Sequence, residues 1–250
     1  MSNTGYSAET STDRVVPASG QWDTIWTPRI PRRGTCGVIL LPGSGNPRAY
    51  MDTVNQPASV KLAAAVASFG IPTITCDFYD NSWSNANAMT AITSAWTVLK
   101  AAFPLMRTDK VCLLGGSMGG GAVARWSQLN PTNTAAVVGL NPAYDTKYEY
   151  DNVAALVTPI ETAWGFTGVG NFPSAANNLA NVAPAIGIPI LTYYAGNDTT
   201  VPSAGVTGYH TAAGGTGGNI TNVGNLGHTD AAIAAAPISS IISFLVTNGA

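Results

Sequence analysis

The chain has 250 residues, 46% of them hydrophobic and only 10% charged, with a formal net charge of −2. It is long enough to bury the core of a large domain, too apolar to be disordered, and charged well below the roughly 25% of an average domain. That near-neutral balance leaves no footprint for nucleic acid or anionic lipid, and no apolar run approaches the roughly 18 residues of a membrane-spanning helix.

The opening "MSNTGYSAETSTDRVVP" has no basic start followed by an apolar run. It reads as a polar arm over residues 1–20 rather than a secretory signal, with a single domain over residues 21–250. The weakly charged polar surface is expected of a soluble protein, cytoplasmic or associated with a virion or other assembled particle. "WDTIWTPRIPRRG" holds short extended pieces broken by Pro28 and Pro31, which suits edge strands or a hairpin.

From Cys36 the chain alternates. "CGVILLPG" is a short apolar run ending in turn residues, the pattern of a strand buried on both faces. "SVKLAAAVASFG" predicts a helix closed by Gly70, "IPTITCDF" a strand, and "AMTAITSAWTVLKAAF" a helix ending before Pro104. "KVCLLGG" predicts a strand, "MGGGAVARWSQLN" a helix and "AAVVGLNP" a strand. Between Ala143 and Gly187 the rhythm stops, leaving an irregular insertion that carries Tyr144, Tyr148, Tyr150, Trp164, Phe166 and Phe172. It resumes with the strand "IPILTYYAGND", followed by a loop region through "GGTGGN". A last strand, "ITNVGNLGH", and an apolar helix, "DAAIAAAPISSIISFLV", close the chain. Strands alternating with helices of this length imply an α/β fold with a mostly parallel sheet covered on both faces. Right-handed crossovers bring the C-terminal ends of the strands to one edge, where such folds carry function.

Cys36, Cys76 and Cys112 each lie in or beside an apolar strand, which predicts buried reduced thiols rather than a disulfide framework. With His210 and His228 the only histidines and no paired ligand spacing, the sequence carries no metal site.

Ser117 stands in "GGSMG", which fits G-x-S-x-G through Gly115 and Gly119. The bare pattern is weak, and a glycine-rich turn with an incidental serine would produce it too. A strand directly before and a helix directly after strengthen it, because a nucleophile elbow needs that context. Dinucleotide and phosphate-binding loops are excluded, since neither G-x-G-x-x-G nor a Gly-Lys-Ser/Thr is present here. Asp198, in "LTYYAGNDTTVP", follows the next-to-last predicted strand and so reaches the same sheet edge. It would orient a histidine and stabilise the imidazolium. Asp145 is its serious rival, because it follows the strand after the elbow; Asp77 and Asp80 follow "TITC". His228 ends the last predicted strand, whereas His210 sits mid-loop with no strand to fix it. A base at the position of His228 would take the serine proton and return it to the leaving group. "LLPGSGNPRAY" ends the first buried strand and would turn backbone N–H groups towards an oxyanion, through Ser44 first and Gly45 next, with the N–H of Met118 as second donor.

Through "LLPGSG", "GGSMGGG", "GND..VP" and "GH", the chain resembles the α/β-hydrolase superfamily over roughly Cys36 to Val246. It is most similar to cutinases, lipases and related polyester hydrolases, and somewhat to dienelactone-hydrolase relatives. The resemblance implies the α/β-hydrolase fold, a triad of Ser117, Asp198 and His228, and oxyanion donors at Ser44 and Met118. It also implies that the insertion over 143–187 is a lid, with Trp164, Phe166 and Tyr144 as candidate pocket residues, although most aromatic residues there are expected simply to pack the insertion to the body. The family often has His-Gly where this chain has Pro42-Gly43, and His or Tyr where it has Gly116. The expected activity is hydrolysis of a small or polymeric carboxylic ester through an acyl-enzyme, with no metal or organic cofactor and no nucleic-acid partner. A peptidase or acyltransferase on the same scaffold, and a virion- or surface-associated protein that is either a phage-type envelope esterase or a non-catalytic component, remain alternatives.

Overall fold

A computed structural model of the chain describes residues 11–16, 21–44, 57–79 and 81–250. Among them a single eight-stranded sheet runs through the molecule in the order β1-β2-β4-β3-β5-β6-β7-β8. The strands are β1 (Ser11–Val16), β2 (Gln21–Trp26), β3 (Cys36–Leu41), β4 (Thr73–Thr75), β5 (Arg107–Gly116), β6 (Thr134–Leu140), β7 (Ile190–Tyr194) and β8 (Ile220–Asn222). From β4 to β8 every neighbouring pair is parallel, while β2 pairs antiparallel with both β1 and β4. Of the extended pieces expected in "WDTIWTPRIPRRG" only the first forms a strand, β2; its hairpin partner is β1, which lies upstream and draws residues 11–16 of the expected polar arm into the sheet edge. Residues 1–10 and 17–20 of that arm lie outside the described residues.

The helices between the strands are α1 (Pro57–Ser68), α2 (Ala86–Ala102), α3 (Met118–Leu129), α4 (Thr146–Asn152), α5 (Ala154–Trp164), α6 (Ser203–Ala212), α7 (Asp230–Ala235) and α8 (Ile238–Gly249). Alternation along the strands sorts side chains into two cores. Val38, Leu40, Cys112 and Leu114 face α1 and α8, whereas Ile39, Leu41, Val111 and Leu113 face α2, α3 and α6. Each fully buried aliphatic side chain in these layers contributes about 1.5–3 kcal/mol of transfer free energy. Cys36, Cys76 and Cys112 are buried free thiols within them. No helix among the described residues is long and apolar enough to cross a membrane.

Four local expectations need correction. The insertion after β6 is helical in its first part, as α4 and α5, and continues through three short 3₁₀ turns. Its helices escape a periodicity reading because α4 has only 7 residues and α5 carries Pro159 inside it. The region before "GGTGGN" contains α6 rather than loop alone; Gly205 and Gly208 hide it, yet Val206, Tyr209 and His210 share its buried face at helical spacing. β8 stops at Asn222, so His228 stands in the loop beyond the strand rather than at its end. The terminal helix is two helices, interrupted at Pro237.

Candidate active site

The loops leaving the C-terminal edge of β3, β5, β7 and β8 converge. Ser117 sits between β5 and α3 at φ 49°, ψ −126°, a conformation that is costly for a residue with a side chain. Its surroundings hold it there. Its N–H is shared between the carbonyls of Leu140 (3.2 Å) and Asn141 (3.1 Å), and its own carbonyl accepts from Gly120 and Ala143, both at 2.8 Å. The flanking glycines are steric requirements. A Cβ on Gly115 would lie 2.4 Å from the carbonyl oxygen of Gly119, and one on Gly119 would lie 2.5 Å from that of Leu41. Strand, helix and the end of β3 thus pass in direct backbone contact.

His228 joins Ser117 to Asp198. Its Nε2 is 2.8 Å from Ser117 Oγ, and its Nδ1 is 2.6 Å from Asp198 Oδ2. The other oxygen of Asp198 accepts from the N–H groups of Thr200 (2.9 Å) and Val201 (2.8 Å), which fixes the plane of the carboxylate. The Asp198 side chain is 1% exposed and that of His228 is 24% exposed, so the carboxylate is sealed and the imidazole reaches the surface of a cleft. The two loops are laced together: Gly196 N–H donates to Gly224 O (2.9 Å), and Gly227 N–H donates to the side-chain oxygen of Asn197 (2.8 Å). These bonds, rather than the strand β8 itself, place the histidine.

The rival residues have other partners. Asp145 caps α4, accepting from Lys147 N–H at 3.1 Å, and burial raises its carboxyl above the usual range. Asp77 follows β4, its N–H held by Asp23 at 3.2 Å, and Asp80 lies outside the described residues. His210 is buried on α6 between Thr192 Oγ1 (2.9 Å) and Thr216 O (3.2 Å), and burial lowers its pKa. Of the expected oxyanion donors, Met118 opens α3, so its N–H has no acceptor within the helix, while its side chain is buried and its sulfur accepts from Trp83 N–H at 3.4 Å. Ser44 lines the cleft, with its hydroxyl on Asn81 Oδ1. Gly45 lies outside the described residues.

In sequence, no family model and no curated protein matches the chain. In structure, solved proteins match closely. A puromycin-hydrolyzing peptidase of Mycobacterium tuberculosis superposes at a TM-score of 0.75 with 12% identity over 99% of this chain, which spans only 40% of that protein. A fluorophosphonate-binding serine hydrolase of Staphylococcus aureus gives 0.72 at 16% identity, covering 95% of this chain and 97% of the other. A truncated carbohydrate esterase from gut microbiota gives 0.71 at 16% identity, covering 99% and 98%. The chain has the α/β-hydrolase fold.

Within this α/β-hydrolase frame, Ser117 and His228 open onto a cleft of about 340 Å³. Its apolar walls include Leu41, Trp83, Leu156, Val201 and Ile233. The three aromatic residues expected in a pocket are not among those lining it. Tyr144 is fully buried in the core, its hydroxyl on Thr192 Oγ1 at 3.0 Å and its ring 4.9 Å from that of Tyr209. Phe166 packs with Tyr150 and Phe172 within the insertion, the packing role expected of most aromatic residues there. Trp164 stands one layer back, donating from Nε1 to the carbonyl of Trp83 at 2.8 Å under the guanidinium of Arg125.

Trp83 is the one aromatic wall residue among the described residues, and sequence reasoning missed it. It is buried, with φ 41°, and is followed by Ser84 at φ 64°, a rare conformation for a large side chain. The loop around it is tied to α3 through Arg125 and to α5 through Asn85 on Ala163 O at 2.8 Å. One signal was available. Trp83 follows β4 and so belongs to the same sheet edge as Ser117.

Proposed function

We propose that the protein is a serine carboxylester hydrolase in which Ser117 forms the acyl-enzyme. The observation that carries this reading is His228, bonded at once to the hydroxyl of a strained elbow serine and to a sealed carboxylate. That is the arrangement in which a weak nucleophile becomes a competent one.

In this mechanism His228 carries its proton on Nδ1, donated to Asp198, and presents Nε2 to the serine. Ser117 Oγ adds to the ester carbonyl carbon as its proton passes to Nε2. The carbonyl π electrons move onto oxygen, to which the N–H groups of Met118 and Ser44 donate hydrogen bonds, each donor worth roughly 3–4 kcal/mol in the transition state. The free N–H groups at the start of α3 favour the same negative charge. Asp198 stabilises the imidazolium without taking its proton. Collapse of the tetrahedral species breaks the carbon–alkoxy bond, and the leaving alcohol takes the proton from Nε2. Water then repeats the sequence on the acyl-enzyme, releasing the acid and restoring Ser117.

The apolar walls of the cleft support a short, largely hydrocarbon acyl or alcohol group, and an ester is favoured over an amide because the structural neighbours include several esterases beside one peptidase. Turnover of 4-nitrophenyl butanoate with a burst of 4-nitrophenol, and none of the matching anilide, is the expected result. Equal turnover by the Ser117→Ala variant would overturn the reading.

A further inference from the structure

Among the described residues that line the cleft, Asp230 is the one that carries a formal charge at neutral pH. It opens α7 just beyond His228, and its two carboxylate oxygens each stand 3.3 Å from the N–H of Ala58 in the first turn of α1. No lysine or arginine among the described residues pairs with it. Lys61, further along α1, is exposed; it shares with Asp230 the wall of a second cavity of about 200 Å³ but makes no ion pair with it. Among the described residues the rest of the cleft lining is apolar or neutral apart from His228, and the buried Asp198 behind that histidine adds to the negative field. A charge set among apolar walls acts over a longer range than one in open water, because the walls focus its field.

We propose that Asp230 is a specificity-determining residue that turns the cleft against anionic esters and towards neutral or cationic ones. This rests on the ester-hydrolase reading above. Asp230 takes no part in bond making. It sets the sign of the potential that an acyl or alcohol group meets on entering, and a like charge placed there costs about tenfold in kcat/KM.

The test uses the full chain and two matched series of esters. In the acyl series the 4-nitrophenyl esters of butanoate, glutarate (as the half-ester anion) and 4-trimethylammoniobutanoate are compared. In the alcohol series the butanoates of 3,3-dimethylbutanol, glycolate and choline are compared. In at least one series the neutral ester is expected to exceed the anionic one by about tenfold or more in kcat/KM. Asp230→Asn, which keeps an acceptor for the Ala58 N–H, is expected to shrink that ratio at least about fivefold. Raising the salt from 0.05 to 0.5 M is expected to narrow the ratio for the wild type but not for the variant. Unchanged charge ratios in both series, or a ratio in the wild type that salt leaves alone, would overturn the proposal. Failure to turn over even the neutral esters would instead sink the ester-hydrolase reading itself.

Discussion

The Nε2 atom of His228 stands 2.8 Å from Ser117 Oγ, although 111 residues separate the two in sequence. Neither residue is placed by its own element alone. The serine is pinned to the end of β6 through Leu140 and Asn141, and Asn141 in turn accepts from Ala195 N–H at 2.7 Å, which fixes the start of the loop carrying Asp198. The acid loop is then bonded to the histidine loop through Gly196 and Asn197. Ser117, Asp198 and His228 are therefore parts of one continuous hydrogen-bonded rim on the sheet edge.

Replacing Asp198 by Asn is expected to lower kcat for 4-nitrophenyl butanoate by about 10⁴-fold, because the histidine loses the acceptor that selects its tautomer. Asp145→Asn is expected to leave kcat within about threefold, since that residue caps α4 rather than meeting His228. Asp145→Ala costs about 1 kcal/mol of stability through the lost cap. Steady-state kinetics and thermal melts of the three variants check this. A larger loss of activity at Asp145 than at Asp198 would reassign the acid.

Leu156 on α5 is the insertion's contribution to the cleft wall, whereas Phe166 is packed away from it. Leu156→Trp fills part of the roughly 340 Å³ and is expected to shift acyl preference towards shorter chains, with octanoate losing at least about tenfold more than acetate. Phe166→Ala is expected to leave the chain-length profile alone while lowering the melting temperature. A chain-length series on both variants distinguishes these outcomes.

Glu149 on α4 is 0% exposed, and neither of its carboxylate oxygens has a hydrogen-bond partner among the described residues. Burial, reinforced by the charges of Asp145 and Asp198, pushes it from an ordinary 4.5 up to about 8. The folded protein thus keeps a proton that the unfolded chain has released, so this group costs stability as pH climbs from about 4.5, and the cost levels off above about 8. The total is on the order of a few kcal/mol. Glu149→Gln, which cannot ionise, is expected to melt with the wild type near pH 4.5 and several degrees above it at pH 8. The same difference at both pH values would show that ionisation is not the cause.

Much of the fold was legible because buried parallel strands are short apolar runs closed by turn residues. "CGVILL", "KVCLLGG" and "AAVVGL" each fall within or across an observed strand. The site was legible for a related reason: chemistry that needs the sheet edge leaves Ser117 and Asp198 just past strands, and the elbow's glycines are dictated by backbone contacts below 3 Å. What the sequence concealed depends on tertiary contacts. Asp145 and Asp198 are equivalent by position, and only the loop lacing decides which one His228 meets. The buried face of α6 is masked by two glycines. Trp83 enters the cleft wall through a positive-φ turn held by α3 and α5, which no local pattern reports.

The most direct test of the central claim is labelling of the folded protein with a fluorophosphonate, followed by mass-spectrometric mapping of the modified residue. The phosphonylated residue is expected to be Ser117, with labelling abolished in Ser117→Ala and reduced by at least about 10³-fold in His228→Ala. Labelling at another residue, or at Ser117 with undiminished rate in His228→Ala, would contradict the account.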